Sequence, residues 1–262
     1  MNKVLEYSLN SFWKSLGINR GDSILIHSNI KPLLRYFLKK KIRIYPEDIL
    51  DSLLNYISCD GNLLFPAFSF KSIKNKHFSI NDTVSEMGAL SEVARLHLDS
   101  KRTKHPVYSF SSFGPITSNL LNIKNKTAYG IDSPFQKLKE INAKILVIDL
   151  SENTSMTFYH HVEEVLEVDY RYLKDFTFEY HDEFSNNLGL CNYSIYVRDL
   201  EVGIITNVNP MGEKLKNKGL YIQNKYMTEI NARVISSKIL FSETSEVINA
   251  GKARGLLYEI HK

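Results

Sequence analysis

The apolar positions of this chain fall into two patterns, short unbroken runs and longer segments with helical spacing. The unbroken runs lie in GDSILIHSN, GNLLFPAFSF and AKILVIDL, and the first of them ends at His27. Runs without alternation are typical of strands that are covered on both faces of a sheet. These three segments therefore predict central strands.

Segments with an apolar residue at every third or fourth position predict helices. The opening helix is closed by Gly17, and another begins at Pro46 in PEDILDSLLNYIS. Further helices are predicted in SEMGALSEVARLHL, after Pro115, in DSPFQKLKEIN with Ser133 as the N-cap, from Ser155 to about Val168, in MGEKLKN, and from Glu243.

The other segments are less regular. HPVYSFSSFGP, NYSIYVRDL and ARVISSKIL each predict a strand, SENT predicts a loop, and a segment rich in Tyr and Phe extends to about Phe184. Strands separated by helices predict an α/β fold, with a mixed central β-sheet flanked by helices. In such folds, ligands bind beyond the carboxyl ends of the strands.

Composition and length indicate a globular protein. The chain has 262 residues, 43% hydrophobic and 24% charged, and no repeat or linker divides it, so we expect one domain over residues 1–262. No apolar run approaches the roughly 18 residues of a membrane span, and the N-terminus lacks the pattern of a signal peptide. We expect a cytoplasmic protein without a membrane partner.

The charge balance is mildly basic, with 33 basic and 29 acidic residues and a net charge of +4. Two basic runs, at 38–43 and 71–76, suit either a solvated surface or an anionic ligand. No nucleic-acid-binding signature is found, so nucleic acid is not an expected partner. Cys59 and Cys191 stand alone, without the spacing of a metal site or of a disulfide framework.

The segment TFYHHVEE, at 157–164, carries the strongest candidate chemistry. On a helix, Thr157, His160 and Glu163 share one face, whereas His161 and Glu164 lie on a second face. A histidine followed three residues later by a carboxylate can act as an oriented general base. The alternative is that the four charged groups form exposed ion pairs on the helix surface.

A metal site is a second interpretation of the same segment. His160 and Glu163 could bind zinc or iron if a third ligand came from His181, Asp182 or Glu183. H-E-x-x-H is absent, so no metal is predicted. A metal-dependent hydrolase and a non-catalytic sugar- or nucleotide-binding protein stay open as alternatives, whereas a serine hydrolase is disfavoured because G-x-S-x-G is absent.

Six segments in order resemble the aminoglycoside 3-N-acetyltransferase family, from about Gly21 to Tyr172. They are GDSILIHSNI, GNLLFPAFSF, SEMGALSEVAR, RTKHPVYSFSSFG, YGIDSPFQKL and TFYHHVEEVLEVDYRY. The resemblance implies an acyl-CoA-dependent N-acyltransferase, outside the GNAT fold, that uses acetyl-CoA and acylates an amine directly. The T-x-x-H-x-x-E motif of the family falls on Thr157, His160 and Glu163, which implies that His160 is the base.

The resemblance also implies where the two substrates bind. The H-S-S-L motif appears as HSNI, with Asn29 as a departure, and R-S-x-H-P-x-x-S-F appears with Thr103 in place of serine. The residues expected to contact coenzyme A are His27, Ser28, Asn29, Ile30, His105, Ser109 and Phe110. The residues expected to contact the amine substrate are Asp132, Phe68 and Glu86.

Structural roles are the alternative for three of these residues. His27 could be a core histidine at a strand end, His105 could shape the turn before Pro106, and Asp132 could cap a helix. If the first strand and the AKILVIDL strand run parallel, HSN and the His/Glu helix face one cleft.

The identity of the amine depends on charge. Aminoglycosides are polycations that call for a site rich in carboxylates, whereas this chain is net positive, and its basic runs could steer an anionic ligand. We therefore expect an amino sugar, such as a nucleotide-linked dideoxy amino sugar for a surface polysaccharide. The alternative is an aminoglycoside 3-N-acetyltransferase that confers antibiotic resistance. The sequence leaves a homodimer open.

Overall fold

A computed structural model describes residues 3–261 of the chain. The strands are Ser23–Ser28 (β1), Asn62–Pro66 (β2), His77–Ser79 (β3), Lys101–Arg102 (β4), Phe110–Phe113 (β5), Lys144–Ile148 (β6), Arg171–His181 (β7), Asn187–Arg198 (β8), Ile204–Thr206 (β9), Ile222–Gln223 (β10), Ala232–Ser236 (β11) and Tyr258–Ile260 (β12). The helices are Lys3–Ser15 (α1), Lys31–Lys39 (α2), Pro46–Ile57 (α3), Lys71–Asn75 (α4), Ala89–Leu96 (α5), Thr117–Leu121 (α6), Pro134–Glu140 (α7), Glu152–Ser155 (α8), Phe158–Val165 (α9), Asn209–Asn217 (α10) and Ser237–Asn249 (α11).

A seven-stranded mixed sheet forms the centre, in the order β10-β11-β6-β1-β2-β5-β4. The three unbroken apolar runs form its middle strands, and β6, β1 and β2 run parallel to one another. β11 and β5 flank these three strands and run antiparallel to them. The predicted α/β fold with a mixed sheet is confirmed.

Helices cover both faces of this sheet, which explains why its middle strands are apolar without alternation. In β1, Leu25 points to one hydrophobic cluster, whereas Ile24 and Ile26 point to the other. The first cluster includes side chains from α7, α9, α10 and α11, and the second includes side chains from α1, α2, α3 and α5. The His/Glu helix, α9, and the basic run at 38–43 after α2 therefore lie on opposite faces.

The pairing of β1 with β6 places two sequence motifs at one edge of the sheet. Ser28 lies opposite Ile148 in the parallel register, so both strands end at the same level. The HSN motif follows directly at the end of β1, and the chain leaves β6 towards α8 and α9. β1 and β6 therefore run parallel, which is the condition for both motifs to lie at one edge of the sheet.

The Tyr/Phe-rich segment forms β7, the first strand of a long hairpin, although its sequence pattern predicts neither a helix nor a strand clearly. β7 and β8 pair antiparallel from Arg171 opposite Arg198 to His181 opposite Asn187, and β3 pairs with β7 on its other side. Much of β7 is exposed on both faces. At 172–175 the ladder of backbone hydrogen bonds, rather than a buried face, defines the strand, whereas Phe176, Phe178 and Tyr180 alternate with exposed residues in its second half.

The loop predicted in SENT is wrong, whereas the strand predicted in ARVISSKIL is present but short, and in both cases tertiary contacts decide the local structure. SENT contains helix α8, where the buried carboxylate of Glu152 pairs with Arg233 of β11 at 2.7 Å and accepts a hydrogen bond from Tyr159 at 2.9 Å. The strand predicted in ARVISSKIL ends at Ser236, whose hydroxyl accepts a hydrogen bond from the backbone N–H of Ile239 and caps α11.

Helix boundaries also differ in detail. Helix α9 is shorter than predicted, since it begins at Phe158 and ends at Val165. Ser133 is the N-cap residue of α7, as predicted, but its buried hydroxyl has no hydrogen-bond partner among residues 3–261. None of the helices within residues 3–261 is long and apolar enough to cross a membrane.

Two glycines give a matched test of the packing beside β5. Gly114 and Gly21 both have positive φ, at 92° and 79°, but a Cβ at Gly114 would overlap the carbonyl oxygen of Gly61, whereas a Cβ at Gly21 would meet nothing within 4 Å. We expect Gly21→Ala to lower the free energy of unfolding by about 1–2 kcal/mol, and Gly114→Ala by about 1–3 kcal/mol more. Urea unfolding of both variants measures the difference, and equal losses would contradict the packing described.

Candidate active site

Helix α9 presents its two titratable faces to different surroundings. Phe158, Tyr159 and Val162 are fully buried and hold the helix against the hydrophobic cluster on one face of the sheet. This packing leaves the side chain of His160 21% exposed, whereas that of Glu163 is completely buried. The helix therefore aims one imidazole towards solvent and its neighbouring carboxylate into the protein.

His160 and Glu163 form the hydrogen bond that their spacing predicts. The Nδ1 of His160 lies 2.8 Å from the Oε2 of Glu163, and because a carboxylate only accepts, Nδ1–H is the donor. This contact leaves Nε2 as the nitrogen that can accept a proton. The ring of Tyr129 lies beside the imidazole, with 5.3 Å between the ring centroids. The arrangement is that of an oriented general base.

The carboxylate of Glu163 has two further partners. The Nε of Arg171 lies 2.8 Å from Oε2, and the hydroxyl of Tyr170 donates a hydrogen bond to Oε1 at 3.1 Å. Burial raises the pKa of Glu163, but Arg171 and the His160 hydrogen bond more than offset this effect, so the pKa lies below its ordinary value. Glu163 is thus a buried carboxylate that stays ionised.

On the second face of α9, His161 has structural contacts. This contradicts the alternative in which the four groups form exposed ion pairs. His161 is fully buried, its Nδ1–H donates to the carbonyl oxygen of Tyr129 at 2.6 Å, and its ring stacks on Phe135. Burial lowers the pKa of His161 to about 4. His161 is therefore neutral and part of the core at neutral pH.

Glu164 is the second carboxylate of α9, and its surroundings differ from those of Glu163. Burial raises the pKa of Glu164, the hydroxyl of Thr127 opposes this by hydrogen bonding, and the nearby carboxylate of Asp132 adds to the rise. Asp132 is exposed, and because Ser133 is the N-cap residue of α7, Asp132 does not occupy that position. Glu164 and Asp132 therefore form a local pair of carboxylates near Gly130.

A cavity of about 350 Å³ opens at the shared edge of β1 and β6. Of the predicted binding residues, this cavity brings together His27, Ser28, Asn29, Ile30 and Glu86. The lining also includes Gly88 at the start of α5, Ser91 within α5 and Thr154 of α8, but it does not include His160.

Three buried polar atoms of this cavity lack hydrogen-bond partners among residues 3–261: the Nε2 of His27 and the hydroxyls of Ser28 and Ser91. Burial, with Arg233 nearby, lowers the pKa of His27 to about 3, so its ring is neutral. Asn29, the departure from the family motif, donates a hydrogen bond to Asp149 at 2.8 Å. The cavity therefore offers neutral polar groups to a ligand.

The other predicted binding residues do not line this cavity. His105 is fully buried, its Nδ1 accepts hydrogen bonds from the backbone N–H groups of Val107 and Tyr108, and its Nε2 lies 3.3 Å from the carbonyl of Ser194. This is the geometry of the turn-shaping alternative. Its contact with coenzyme A stays a prediction.

Ser109, Phe110 and Phe68 are likewise in the interior. The hydroxyl of Ser109 accepts a hydrogen bond from the Nε of Arg102 at 2.9 Å and donates to the carbonyl of Ala67 at 3.0 Å. Phe110 and Phe68 pack against each other, with 5.4 Å between their ring centroids. Their roles as ligand contacts stay predictions.

Sequence analysis missed Arg171 and Tyr170, although both stand in the VDYRY stretch that follows α9. Tyr170 directly precedes β7 and Arg171 is its first residue, and the side chains of both contact Glu163. No metal cluster competes for these groups, because no set of three or more His, Cys, Asp or Glu side chains within residues 3–261 could hold an ion. The proposed third ligands at 181–183 therefore do not join His160 and Glu163.

The fold and the site together define a class of enzyme, an α/β protein with a His/Glu dyad on a helix beyond the sheet. Residues 25–249 match the sequence model of the aminoglycoside 3-N-acetyltransferase family. The chain belongs to this family, and it is therefore an N-acetyltransferase rather than a hydrolase or a non-catalytic binding protein. No curated protein matches the sequence significantly.

Solved structures of low sequence identity share the fold. YokD from Bacillus subtilis is 18% identical with a TM-score of 0.75, and the match covers 93% of this chain and 98% of YokD. AAC-VIa, solved with sisomicin, is 17% identical with a TM-score of 0.79, covering 94% and 98%. AAC-IIIb, solved with CoASH, is 17% identical with a TM-score of 0.75, covering 94% and 96%.

Buried histidines predict a loss of stability in mild acid. Burial lowers the pKa of His27 to about 3 and those of His105 and His161 to about 4. Below pH 6.5 the unfolded chain binds protons that the folded chain rejects, so stability falls by up to about 1.4 kcal/mol per pH unit for each histidine. Urea unfolding between pH 7 and pH 5 measures the fall, and His105→Gln should make it shallower. Constant stability over this range would contradict the burial of neutral rings.

Proposed function

We propose that this protein transfers the acetyl group of acetyl-CoA to an amino group of an aminoglycoside, with His160 as the general base. The observation that carries the proposal is the hydrogen bond between His160 and a buried, ionised Glu163, which leaves Nε2 to accept a proton. Burial and Arg171 lower the pKa of His160, so the imidazole is in its basic form at neutral pH. Membership of the family supports the reaction type.

The reaction is a direct transfer. The neutral amine attacks the thioester carbon, an N–C bond forms, and the Nε2 of His160 takes the proton that the nitrogen loses. The C–S bond then breaks, and the imidazolium of His160 gives the same proton to the departing thiolate, so the coenzyme leaves as a thiol and the base is neutral again. Thr157 is the N-cap residue of α9, one turn before His160, and we expect its hydroxyl to donate a hydrogen bond to the oxyanion.

The strand-end cavity is the proposed site of the coenzyme. Its unpartnered groups on His27, Ser28 and Ser91 can hydrogen-bond to the amides and hydroxyl of a pantetheine arm. Thr154 lines this cavity only three residues before Thr157, which begins the helix of the dyad. Helix α8 therefore joins, along the sequence, the proposed coenzyme site to the helix that carries His160. AAC-IIIb, which shares the fold, was solved with CoASH, and this supports acetyl-CoA as the donor.

An aminoglycoside fits the local charge better than the nucleotide-linked sugar that net charge suggested. The basic run at 38–43 lies with α2 on the opposite face of the sheet from α9, so it does not describe the environment of His160. The carboxylates of Glu164 on α9 and of Asp132 lie near each other, whereas the charged groups that act on His160 directly are Glu163, Arg171 and Arg198. AAC-VIa, of the same fold, was solved with sisomicin. These observations favour a polycationic amine as the acceptor.

Adjacent histidines give a matched test of the base. We expect His160→Asn to lower kcat by about 10²- to 10⁴-fold, because the amine then has no proton acceptor. His161→Asn keeps an N–H for the Tyr129 carbonyl, so it should lower stability more than kcat. Thiol release from acetyl-CoA, with urea unfolding of both variants, separates the two effects. Full turnover by folded His160→Asn would overturn the assignment.

A substrate panel tests the acceptor. We expect thiol release with acetyl-CoA and aminoglycosides, and none with nucleotide-linked amino sugars. Asp132→Asn should raise KM for the aminoglycoside several-fold and leave KM for acetyl-CoA unchanged, since one exposed carboxylate is worth about 1 kcal/mol to a cation. Asp99→Asn, at an exposed carboxylate beyond α5, is the control and should change neither constant. Turnover confined to the nucleotide-linked sugars would reject the polycation.

A further inference from the structure

Arg171 does not touch the reacting atoms in the mechanism above, yet its guanidinium contacts the carboxylate of Glu163. We propose that Arg171 is a positioning residue that holds Glu163 ionised and aligned, and so keeps His160 in its neutral, proton-accepting form at the pH of the reaction. This inference rests on the proposed role of His160 as the base.

The geometry places Arg171 and His160 on the same carboxylate oxygen. The Nε of Arg171 and the Nδ1 of His160 each lie 2.8 Å from the Oε2 of Glu163. The same oxygen therefore orients the imidazole of His160 and pairs with the positive charge of Arg171. Arg171 thus limits how strongly Glu163 attracts a second proton onto the His160 ring, while the orienting hydrogen bond stays in place.

The guanidinium is itself held by two further strands. Its Nη1 donates to the carbonyl of Tyr196 on β8 at 3.3 Å, and its Nη2 donates to the hydroxyl of Thr206 on β9 at 3.1 Å. Only 8% of Arg171 is exposed. Since its backbone belongs to β7, three strands fix the position of this one cation. A lysine could keep the charge but could not reproduce the fork of contacts.

Tyr170 completes the arrangement from the other side of the carboxylate. Its hydroxyl donates to Oε1 at 3.1 Å, and its ring stacks on Tyr258 of β12, with centroids 4.0 Å apart. Both oxygens of Glu163 are therefore occupied by donors with fixed positions. Rotation of the carboxylate would break at least one of these contacts, so the imidazole has one favoured orientation.

The charges around His160 decide the direction of the effect. The groups that face it are Glu163 on α9, Arg171 on β7, Arg198 on β8 and the neutral Tyr129 ring, with Glu164 next along the helix. Burial and then Arg171 lower the pKa of His160, Glu163 raises it, and Arg198 lowers it further. Without Arg171, the negative charge of Glu163 is unbalanced, and the pKa of His160 rises.

The test is the pH dependence of kcat/KM for acetyl transfer to an aminoglycoside by the full-length enzyme. We expect Arg171→Gln to move the acidic limb of the profile to higher pH by about one unit, the low end of the effect of a charge at this distance. A merely structural role would lower activity equally at every pH and leave the limb where it is. That result, in folded protein, would overturn the proposal.

Arg171→Lys separates charge from geometry and covers the case in which Arg171→Gln does not fold. We expect the lysine variant to keep the wild-type limb, because the charge is retained, with kcat about tenfold lower at unchanged KM, because the carboxylate is less firmly held. Wild-type kcat in this variant, or a shifted limb, would overturn the proposal.

A control and the parent hypothesis are tested in the same series. Arg95 forms a comparable ion pair with Glu92 at 2.7 Å on α5, so Arg95→Gln should leave the limb unchanged. If His160→Asn retains full activity, the proposed base is wrong and the limb belongs to another group. If His160→Asn is inactive and Arg171→Gln does not move the limb, only the role of Arg171 is wrong.

Discussion

The buried carboxylate of Glu163 is the constraint on which the site depends. Removing an ionised carboxylate from water costs several kcal/mol unless partners compensate, and here the partners are His160, Arg171 and Tyr170. They come from α9, from β7 and from Tyr170 directly before β7, and Tyr258 of β12 supports Tyr170 by stacking. The hairpin and the last strand of the described chain must therefore close over α9 before the dyad acquires its geometry.

The central sheet supplies the rest of the arrangement. Its parallel strands β1 and β6 end at one edge, where a cavity with unpartnered polar groups forms, and the chain passes from this cavity through α8 into α9. Because α9 is packed by its apolar residues on one face of the sheet, His160 is left partly exposed while Glu163 is fully buried. A donor site and a base can thus be neighbours along the chain although they are built by different elements.

Charge illustrates why local structure matters more than composition. The net charge of +4 and the basic runs at 38–43 and 71–76 suggested an anionic substrate, but the first of these runs lies across the sheet from α9. The carboxylates of Glu164 and Asp132 lie near each other, and Glu164 belongs to α9 itself. Screening over a Debye length of about 8 Å makes such nearby groups dominant for a bound ligand.

The sequence by itself determined the central strands, most helices, the α/β class and the shared face of His160 and Glu163, because these follow from unbroken apolar runs and from the helical period of 3.6 residues within one element. Only the tertiary structure decided that Glu163 is buried, that His105 and His161 have structural contacts, and that Arg171 reaches the dyad. β7 and α8 also depend on tertiary structure, because the partners that stabilise them lie on other elements. The physical reason is that desolvation and ion pairing depend on which groups pack together from distant parts of the chain, and residue spacing carries no information about that packing.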